Sequence, residues 1–372
     1  MPDGMQTFAA LGARVARDQR AVLVTVAHAT GSTPREPGTA MVVGAHDIAG
    51  TIGGGHLEFE AIRLARDALA HDPAPAPWLV RFPLAARLGQ CCGGVATLAF
   101  AVVVDEAHAW LDTAVACERT GTVMAIVTRI GGGDDRRQHM VVTADHAAGS
   151  LGDTALDSAA VGAARPRIAG RRQDTALVAS PTGDGSTLLV HTIPPCDFHV
   201  LVFGNGHVGR ALVQVLGALP AAVRWIDARD ADFPQTVPGN VEIVATDLPE
   251  AELNAAPHGA FVVVTTHNHA LDLDLVTAAF ARDDWRYLGL IGSASKRNQF
   301  EKRLLARGFT PERLAQLVCP IGRSAGVAIR SKEPGAIAVA VAAEMLALRE
   351  IGVRHHFPTQ RSGLVLPIKS GI

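Results

Sequence analysis

The sequence predicts an α/β protein: an N-terminal mixed α/β domain followed by a C-terminal Rossmann-like domain with a doubly wound parallel sheet. From residue 199 onward, apolar runs with strand character alternate with helical segments, and this order is typical of parallel sheets. The first of these runs ends in a G-x-G-x-x-G turn over 204–209, and apolar residues at helical spacing follow it. Strand, glycine turn and helix together indicate the entrance of a dinucleotide-binding fold.

The 372 residues exceed the usual size of one domain, so two domains are expected. The rigid pair Pro194-Pro195 stands shortly before the first Rossmann strand and suits a domain boundary. We predict an N-terminal domain over 1–193, a Rossmann-like domain over 196–350 and a C-terminal tail over 351–372.

In the N-terminal domain, continuous apolar runs predict buried strands, and apolar residues three and four apart predict a helix. The strands are expected at 21–27, 39–43, 78–82 and 95–104, and the helix at 57–69. Residues 161–185 are weakly specified, because short apolar runs are mixed there with Arg, Pro and Gly. We expect no internal repeat.

The same rules predict the elements of the Rossmann-like domain. Strands are expected at 199–203, 223–227, 241–245, 260–265 and 287–291. Helices are expected directly after the glycine turn, at 271–282, at 295–307 and, rich in Ala and Val, at 334–349. Pro334 lies near the first turn of that last helix, where proline is well tolerated.

Composition and charge exclude several classes of protein. Hydrophobic residues make up 48% and charged residues 19%, which indicates a globular protein with a large core. A net charge of −2 without a basic block argues against nucleic-acid binding. The N-terminus lacks the features of a signal peptide and no apolar run is long enough for a membrane span, so we expect a cytoplasmic protein. Five cysteines then favour reduced thiols over disulfides.

The glycine turn and the strand after it carry the first candidate site. Gly204 permits the tight turn, Gly206 lets a pyrophosphate approach backbone N–H groups, and Gly209 allows the helix to pack closely on the strand. His207 lies in the same turn and is a further candidate contact. Asp227 ends the next strand, where such folds bind a ribose hydroxyl.

The loop over 31–38 is a second candidate, because it combines hydroxyls, a guanidinium and prolines. Ser32, Thr33 and Arg35 can hold an anion. The alternative is that proline and glycine shape a hairpin whose hydroxyls act as caps.

A run of three glycines, Gly53, Gly54 and Gly55, leads into a helix and leaves its first N–H groups accessible. This pattern resembles a phosphate nest without the lysine of a P-loop. His56 and Glu58 follow as candidate ligands. Glu58 could equally be a first-turn acid that complements the helix dipole.

Cys91 and Cys92 stand between glycines ahead of a strand, and a glycine-flanked thiol is accessible to a metal, to sulfur or to a cofactor. Structural zinc is disfavoured, because the paired spacing of zinc ligands is missing. A soft thiolate ligand for a transition metal and a persulfide carrier both stay open.

Two further candidates lie at the carboxyl edge of the Rossmann sheet, where open α/β sheets bind ligands. His267, together with His269, could contact a metal or a ligand, and Ser293 suits an anion. Each has an alternative: a solvated histidine beside a capping Asn268, and a serine that only caps a helix.

Taken in order, the motifs of both domains resemble those of the XdhC/CoxI family, the xanthine dehydrogenase accessory proteins. The motifs are Gly31-Ser-Thr-Pro-Arg35, Gly53-Gly-Gly-His-Leu-Glu58, Cys92-Gly-Gly94, Phe203-Gly-Asn-Gly-His-Val-Gly209, Tyr287-Leu-Gly-Leu-Ile-Gly-Ser293 and Cys319-Pro-Ile-Gly322 with Ser331-Lys-Glu-Pro334. The resemblance covers nearly the whole chain. The family pattern is usually Cys-Gly-Gly, so Cys92 inherits the match although Cys91 precedes it.

The resemblance implies a cytoplasmic maturation factor that binds molybdenum cofactor (molybdopterin), supports its sulfuration and inserts it into xanthine dehydrogenase. Its implied partners are the xanthine dehydrogenase apoenzyme and a cysteine desulfurase, and Cys92 is a candidate molybdenum ligand. A homodimer is expected only as the commonest state of soluble oligomers.

The alternative hypothesis is an NAD(P)-binding oxidoreductase, based on the glycine turn and Asp227. It requires proton-transfer chemistry, yet no histidine stands out for that role. Arg229 lies close to Asp227 in sequence and leaves the choice among NAD, NADP and another nucleotide open.

Overall fold

The structure is a computed structural model that describes residues 7–84, 93–104, 109–131, 138–170, 173–229, 233–323, 329 and 331–351. The chain divides into two compact units, of which the first ends at Cys196 and the second begins at Asp197. This division lies beside the Pro194-Pro195 pair.

The first unit is built from two antiparallel five-stranded sheets. Its first half contains α1 (Thr7–Asp18), β1 (Arg20–Thr30), β2 (Ala40–Val43), β3 (Ile48–Gly50), α2 (Gly55–Leu69), β4 (Trp78–Pro83) and β5 (Val95–Val104). Its second half contains α3 (Ala109–Thr120), β6 (Met124–Ile130), β7 (His139–Val142), β8 (Ala147–Ser150), α4 (Thr154–Ala169), β9 (Asp174–Ala179) and β10 (Thr187–Ile193). The strand orders are β3-β2-β1-β5-β4 and β8-β7-β6-β10-β9.

The two halves of this unit are a structural repeat. Both run helix, three strands, helix and two strands, and both sheets have the same order. When Thr51 is aligned with Ser150, the identical positions over 40–70 are Met41, Val42, Val43, Ala45, Ala49, Gly50, Gly53, Leu57, Ala61, Ala65, Arg66 and Ala70 with Met140, Val141, Val142, Ala144, Ala148, Gly149, Gly152, Leu156, Ala160, Ala164, Arg165 and Ala169. The expectation of no internal repeat is therefore wrong. The shared residues lie in the second strand, in the turn and on the buried helix face of each copy.

Equivalent elements of the two copies bury equivalent faces. The outer helices cover their sheets with Leu57, Ala61 and Ala65 in α2 and with Leu156, Ala160 and Ala164 in α4. The inner faces of both sheets share one core with α1 and α3. There the second residues of these helices, Phe8 and Trp110, meet edge to face with ring centroids 6.4 Å apart. Contact between equivalent residues is also the rule at a two-fold dimer interface.

In the first copy, a carboxylate holds the turn that leads into the outer helix. Glu58 Oε2 accepts hydrogen bonds from the Thr51 hydroxyl, from the Ile52 N–H at 2.9 Å and from the Gly54 N–H at 3.1 Å. The end of β3 is thereby fixed to the first turn of α2.

The second copy repeats this arrangement with a shorter acid. Asp157 accepts from the Ser150 hydroxyl at 2.9 Å and from the Leu151 N–H at 2.7 Å. The same contact therefore directs α4 onto its own sheet.

The second unit holds a six-stranded parallel sheet. Its elements are β11 (His199–Phe203), α5 (His207–Leu216), β12 (Ala222–Asp227), β13 (Val241–Ala245), α6 (Pro249–Asn254), β14 (Phe261–Val264), α7 (His269–Arg282), β15 (Tyr287–Leu290), α8 (Ala294–Ala306), α9 (Pro311–Leu314), β16 (Leu317–Val318) and α10 (Pro334–Ile351). The order β13-β12-β11-β14-β15-β16 is that of a doubly wound fold with its switch point between β11 and β14. The predicted fold class is confirmed.

Among the described helices, none combines the length and the apolar composition that a bilayer crossing needs.

Glu58→Ala and Asp157→Ala are each expected to lower the free energy of unfolding by about 1–3 kcal/mol, because each leaves turn N–H groups without an acceptor. Chemical denaturation followed by circular dichroism measures the change. Asp67→Ala is the matched control, since it removes only an exposed ion pair with Arg63, worth less than about 1 kcal/mol. A loss in E58A no larger than in D67A would contradict the structural role of Glu58.

His191 on β10 makes the stability of the first unit depend on pH. Burial lowers the pKa of its imidazole from 6.5 to about 4, and a hydrogen bond with the Gly38 backbone opposes this only in part. The unfolded chain therefore takes up the proton first as the pH falls. The stability that neutral His191 provides is present above about pH 6.5 and is lost as the pH falls towards 4.

From pH 7 to pH 4.5 we expect wild type to lose about 2–3 kcal/mol more unfolding free energy than His191→Gln, because glutamine has no proton to take up. Denaturation of both proteins at the two pH values measures this difference. The exposed His258, replaced by Gln, serves as control. Equal losses in wild type and H191Q would refute the assignment.

Candidate functional site

Three loops of the first repeat meet at one end of its sheet. The loop between β1 and β2 packs against the glycine turn so closely that a Cβ on Gly53 would collide with Pro34. The same loop contacts the residues that precede β5, where the Gly94 N–H donates to the Ser32 carbonyl at 3.0 Å. A Cβ on Gly94 would collide with that carbonyl oxygen, so the approach requires glycine. The structure thus unites three motifs that are far apart in sequence.

The predicted side chains at this end are accessible. Ser32, Arg35 and His56 are exposed, and Thr33 is half-buried with its hydroxyl donating to the Arg35 carbonyl at 3.1 Å. The ring of His56 lies 6.1 Å from that of Phe59, which is 64% exposed. The loop end of the first repeat is therefore open to a ligand or to a partner.

The helix α2 begins at this end without a side-chain cap. Its N-cap residue is Gly54, with φ of 72°, and Gly55 follows with φ of 66°. No atom lies within 4 Å of the position that a Cβ on Gly54 would take. The N-cap residue of α2 therefore offers no side-chain acceptor to the N–H groups that follow it, and the carboxylate at this helix start is that of Glu58, which accepts the Gly54 N–H.

The second repeat shows what occupies this position when the helix is capped. Asp153 aligns with Gly54, and its Oδ1 accepts the N–H groups of Ala155 at 2.7 Å and Leu156 at 3.2 Å. The first repeat has lost this carboxylate while it has kept the acid Glu58 that holds the turn. Glu58 therefore has a contact within the turn, as the first-turn alternative requires.

The predicted thiols Cys91 and Cys92 lie outside the described residues. The described chain resumes at Gly93, which is exposed, and Gly94, which contacts the loop between β1 and β2. Within the described ranges, no three His, Cys, Asp or Glu side chains are grouped as a metal site.

The second unit presents the glycine turn between β11 and α5. Gly204 has φ of 112°, and a Cβ there would lie 2.6 Å from the Thr265 carbonyl oxygen at the end of β14. A Cβ on Gly209 would collide with the Gly204 carbonyl, so the helix packs tightly on the strand. Gly206 caps α5 without a side chain, and no atom lies within 4 Å of its Cβ position. His207, the first residue of α5, is exposed.

Asp227 lies at the end of β12 as predicted, but its carboxylate is occupied by the protein. Oδ2 accepts from the Asn205 N–H at 2.7 Å and from Arg229 Nη2 at 2.9 Å. Oδ1 accepts from the N–H of Arg229 at 3.0 Å and from its Nε at 2.9 Å. Burial acts to raise the pKa of Asp227, yet the hydrogen bonds from Arg229 and Asn205 outweigh it and the pKa lies below its ordinary value.

The two candidates that follow β14 and β15, His267 and Ser293, lie at helix starts. His267 is exposed next to Asn268, whose side chain caps α7 by accepting the Ala270 N–H at 2.9 Å. Ser293 caps α8 by accepting the Lys296 N–H at 3.3 Å. The capping alternatives for Asn268 and Ser293 thus both have their hydrogen bonds in the structure.

A buried ion pair joins these two helix starts and was not predicted from the sequence. Lys296 Nζ donates to Asp272 Oδ2 at 2.6 Å and to the Ile291 carbonyl at 2.9 Å, and Asp272 is fully buried. The Thr266 hydroxyl donates to the other oxygen of Asp272 at 2.6 Å. No spacing signal exists for such a pair, because its members lie on different helices.

Comparison with known proteins identifies the family of the chain. Residues 14–83 match the XdhC and CoxI family, and residues 200–345 match the XdhC Rossmann domain. The chain is 28% identical over 166 residues to the protein YqeB of Escherichia coli (strain K12), a match that covers 43% of this chain and only 28% of that protein. A crystal structure described as a xanthine dehydrogenase from Bacillus halodurans has the same fold, with a TM-score of 0.62 and 18% identity over 93% of this chain and 96% of that one. The two matched regions, which together cover more than half of the sequence, show that the chain belongs to the XdhC and CoxI family.

Proposed function

We propose that this protein is a maturation factor of xanthine dehydrogenase. It holds molybdenum cofactor at the loop end of the first repeat, supports its sulfuration with sulfur from a cysteine desulfurase, and delivers it to the apoenzyme. Membership of the XdhC and CoxI family supports the choice of target enzyme. The motifs that meet at the loop end are the ones through which the N-terminal half resembles this family.

The difference between the two repeats supports the proposal that the cofactor binds at the start of α2. Both copies keep the acid that the turn needs, but only the first replaces the capping Asp153 by Gly54. An anion from outside can take the place of that carboxylate at the N-terminus of α2. The phosphate of the cofactor is such an anion, and the guanidinium of Arg35 is exposed on the neighbouring loop.

The thiols that precede Gly93 in the sequence suit the metal of the molybdenum cofactor. The cofactor offers a metal bound by a soft dithiolene, and a thiolate is the protein ligand that matches a soft metal. A glycine-flanked thiol is also accessible for transfer of sulfur. We assign this role to Cys92, with Cys91 as its neighbour in sequence.

Gly54→Asp is expected to release the cofactor, because it restores a carboxylate at the helix start, while Gly54→Asn introduces the same shape without the charge. Both variants have the same backbone strain at positive φ, so a difference between them reports the effect of the negative charge alone. Each protein is purified from cells that make molybdenum cofactor, and the oxidised pterin released on denaturation is measured. At least about tenfold less pterin is expected in G54D than in G54N.

Arg35→Ala keeps this test decisive if both Gly54 variants fail to fold. It is expected to lower pterin retention without lowering the melting temperature, and Arg119→Ala, an exposed arginine of the second repeat, is its control. Equal retention in G54D and G54N, or in R35A and R119A where the Gly54 pair does not fold, would overturn the placement.

Cys92→Ala is expected to lower bound molybdenum and pterin together, because it removes the thiolate proposed as the ligand of the metal. Cys91→Ala is the matched control and should retain both. Metal analysis and pterin fluorescence on the same samples give the result. Unchanged retention in C92A would refute the thiol assignment and leave the phosphate site to stand on the Gly54 test.

A further inference from the structure

The glycine turn of the second unit has features of a ligand site that the proposed maturation function does not use. Asn205, inside the turn, is 3% exposed, and neither its amide nitrogen nor its amide oxygen has a hydrogen-bond partner. Buried amides are nearly always paired, so this one marks a place where a polar group is expected. The adjacent Gly206 leaves open space at the N-terminus of α5.

In this fold a ribose binds at the end of the second strand, here the end of β12 at Asp227, and this ribose corner is unusual. An ionised carboxylate has about four acceptor positions, and each oxygen of Asp227 already accepts two N–H groups of the protein. No acceptor remains there for the hydroxyls of an unmodified ribose. The contact that such folds use to hold NAD is thus taken by Arg229 and by the turn itself.

Of the ion pair at this corner, Arg229 is the member that is more exposed to solvent. The side chain of Arg229 is 43% exposed, whereas that of Asp227 is only 7% exposed and lies beneath it. The bidentate pair holds the guanidinium in a fixed orientation, which reduces the entropy lost when it binds a ligand. A planar guanidinium at this position suits a phosphate on the ribose.

From these contacts we infer that the second unit binds a dinucleotide whose adenosine ribose carries a phosphate, as in NADP(H), in preference to NAD(H). The pyrophosphate lies at the N-terminus of α5 beside Gly206, and the ribose phosphate lies against Arg229. Asp227 positions Arg229 and the turn and does not bind the ribose. This binding is independent of the cofactor cargo assigned to the first unit.

Isothermal titration calorimetry of the full-length protein with NADPH and with NADH tests the inference. A second pair of titrations, with adenosine 2′,5′-bisphosphate and with adenosine 5′-monophosphate, tests the contribution of the ribose phosphate without the nicotinamide half. Each phosphorylated ligand is expected to bind at least about tenfold more tightly than its partner. Arg229→Ala should reduce this preference to less than about twofold. Arg224→Ala, which removes an ion-paired arginine from β12, should keep it.

The variant Gly206→Val tests whether the dinucleotide binds at the glycine turn. Its φ of −84° and the open space around it allow the valine in the free protein, so the variant should fold and yet lose both dinucleotides. NADH binding as tightly as NADPH, a preference that survives in R229A, undiminished binding in G206V, or no binding of either dinucleotide would each overturn the inference. None of these results changes the pterin retention that tests the proposed function.

Discussion

The contact between one carboxylate and the backbone of a turn determines the architecture of the first unit. In each repeat, the chain leaves a short edge strand and begins an outer helix within a few residues. Glu58 and Asp157 accept the hydroxyl and N–H groups of that turn, so the direction of the helix is fixed. The helix can then cover its sheet with small alanines, which pack fully buried in both copies. The shared inner core forms between sheets that are already covered on the outside.

Comparison of the two copies also distinguishes residues that the fold requires from residues that a ligand would require. The acid, the hydroxyl before it and the buried helix face are present in both copies, so the fold itself accounts for them. The glycine N-cap of α2 belongs to the first copy alone, because Gly54 stands there where the second copy has Asp153. A glycine at the N-cap is less favourable than an aspartate there by roughly a few tenths of a kcal/mol. An anion bound at this helix start would offset that cost, which supports the proposal that the ligand lies in the first repeat.

Prediction from the sequence succeeded where one residue pattern determines one structure. Strands of a parallel sheet are buried on both faces and read as continuous apolar runs, so each of the first five Rossmann strands was expected within about two residues of its observed ends. In the second repeat, β6, β7 and β10 also contain buried apolar runs but were not among the predicted strands. Two other elements of this repeat lack a clear signal. Strand β9 is nowhere fully buried, and α4 contains Pro166, so neither has the pattern that periodicity rules need. The convergence of the loops at Gly53 and Gly94 was beyond prediction, because it depends on how the strands pair.

Both units use an acid in the same way, and this limits what the acids can do for a ligand. Glu58 accepts the N–H of Gly54, and Asp227 accepts the N–H of Asn205, so each carboxylate holds a glycine-containing turn from the protein side. The sequence suggested both acids as ligand contacts, since their position next to a turn is the same whether they face the ligand or the backbone. With their carboxylates turned inward, the groups left for recognition are helix N–H groups and arginines. Under the two proposals made above, each turn receives an anion at a helix start where the Cβ position of a glycine is open.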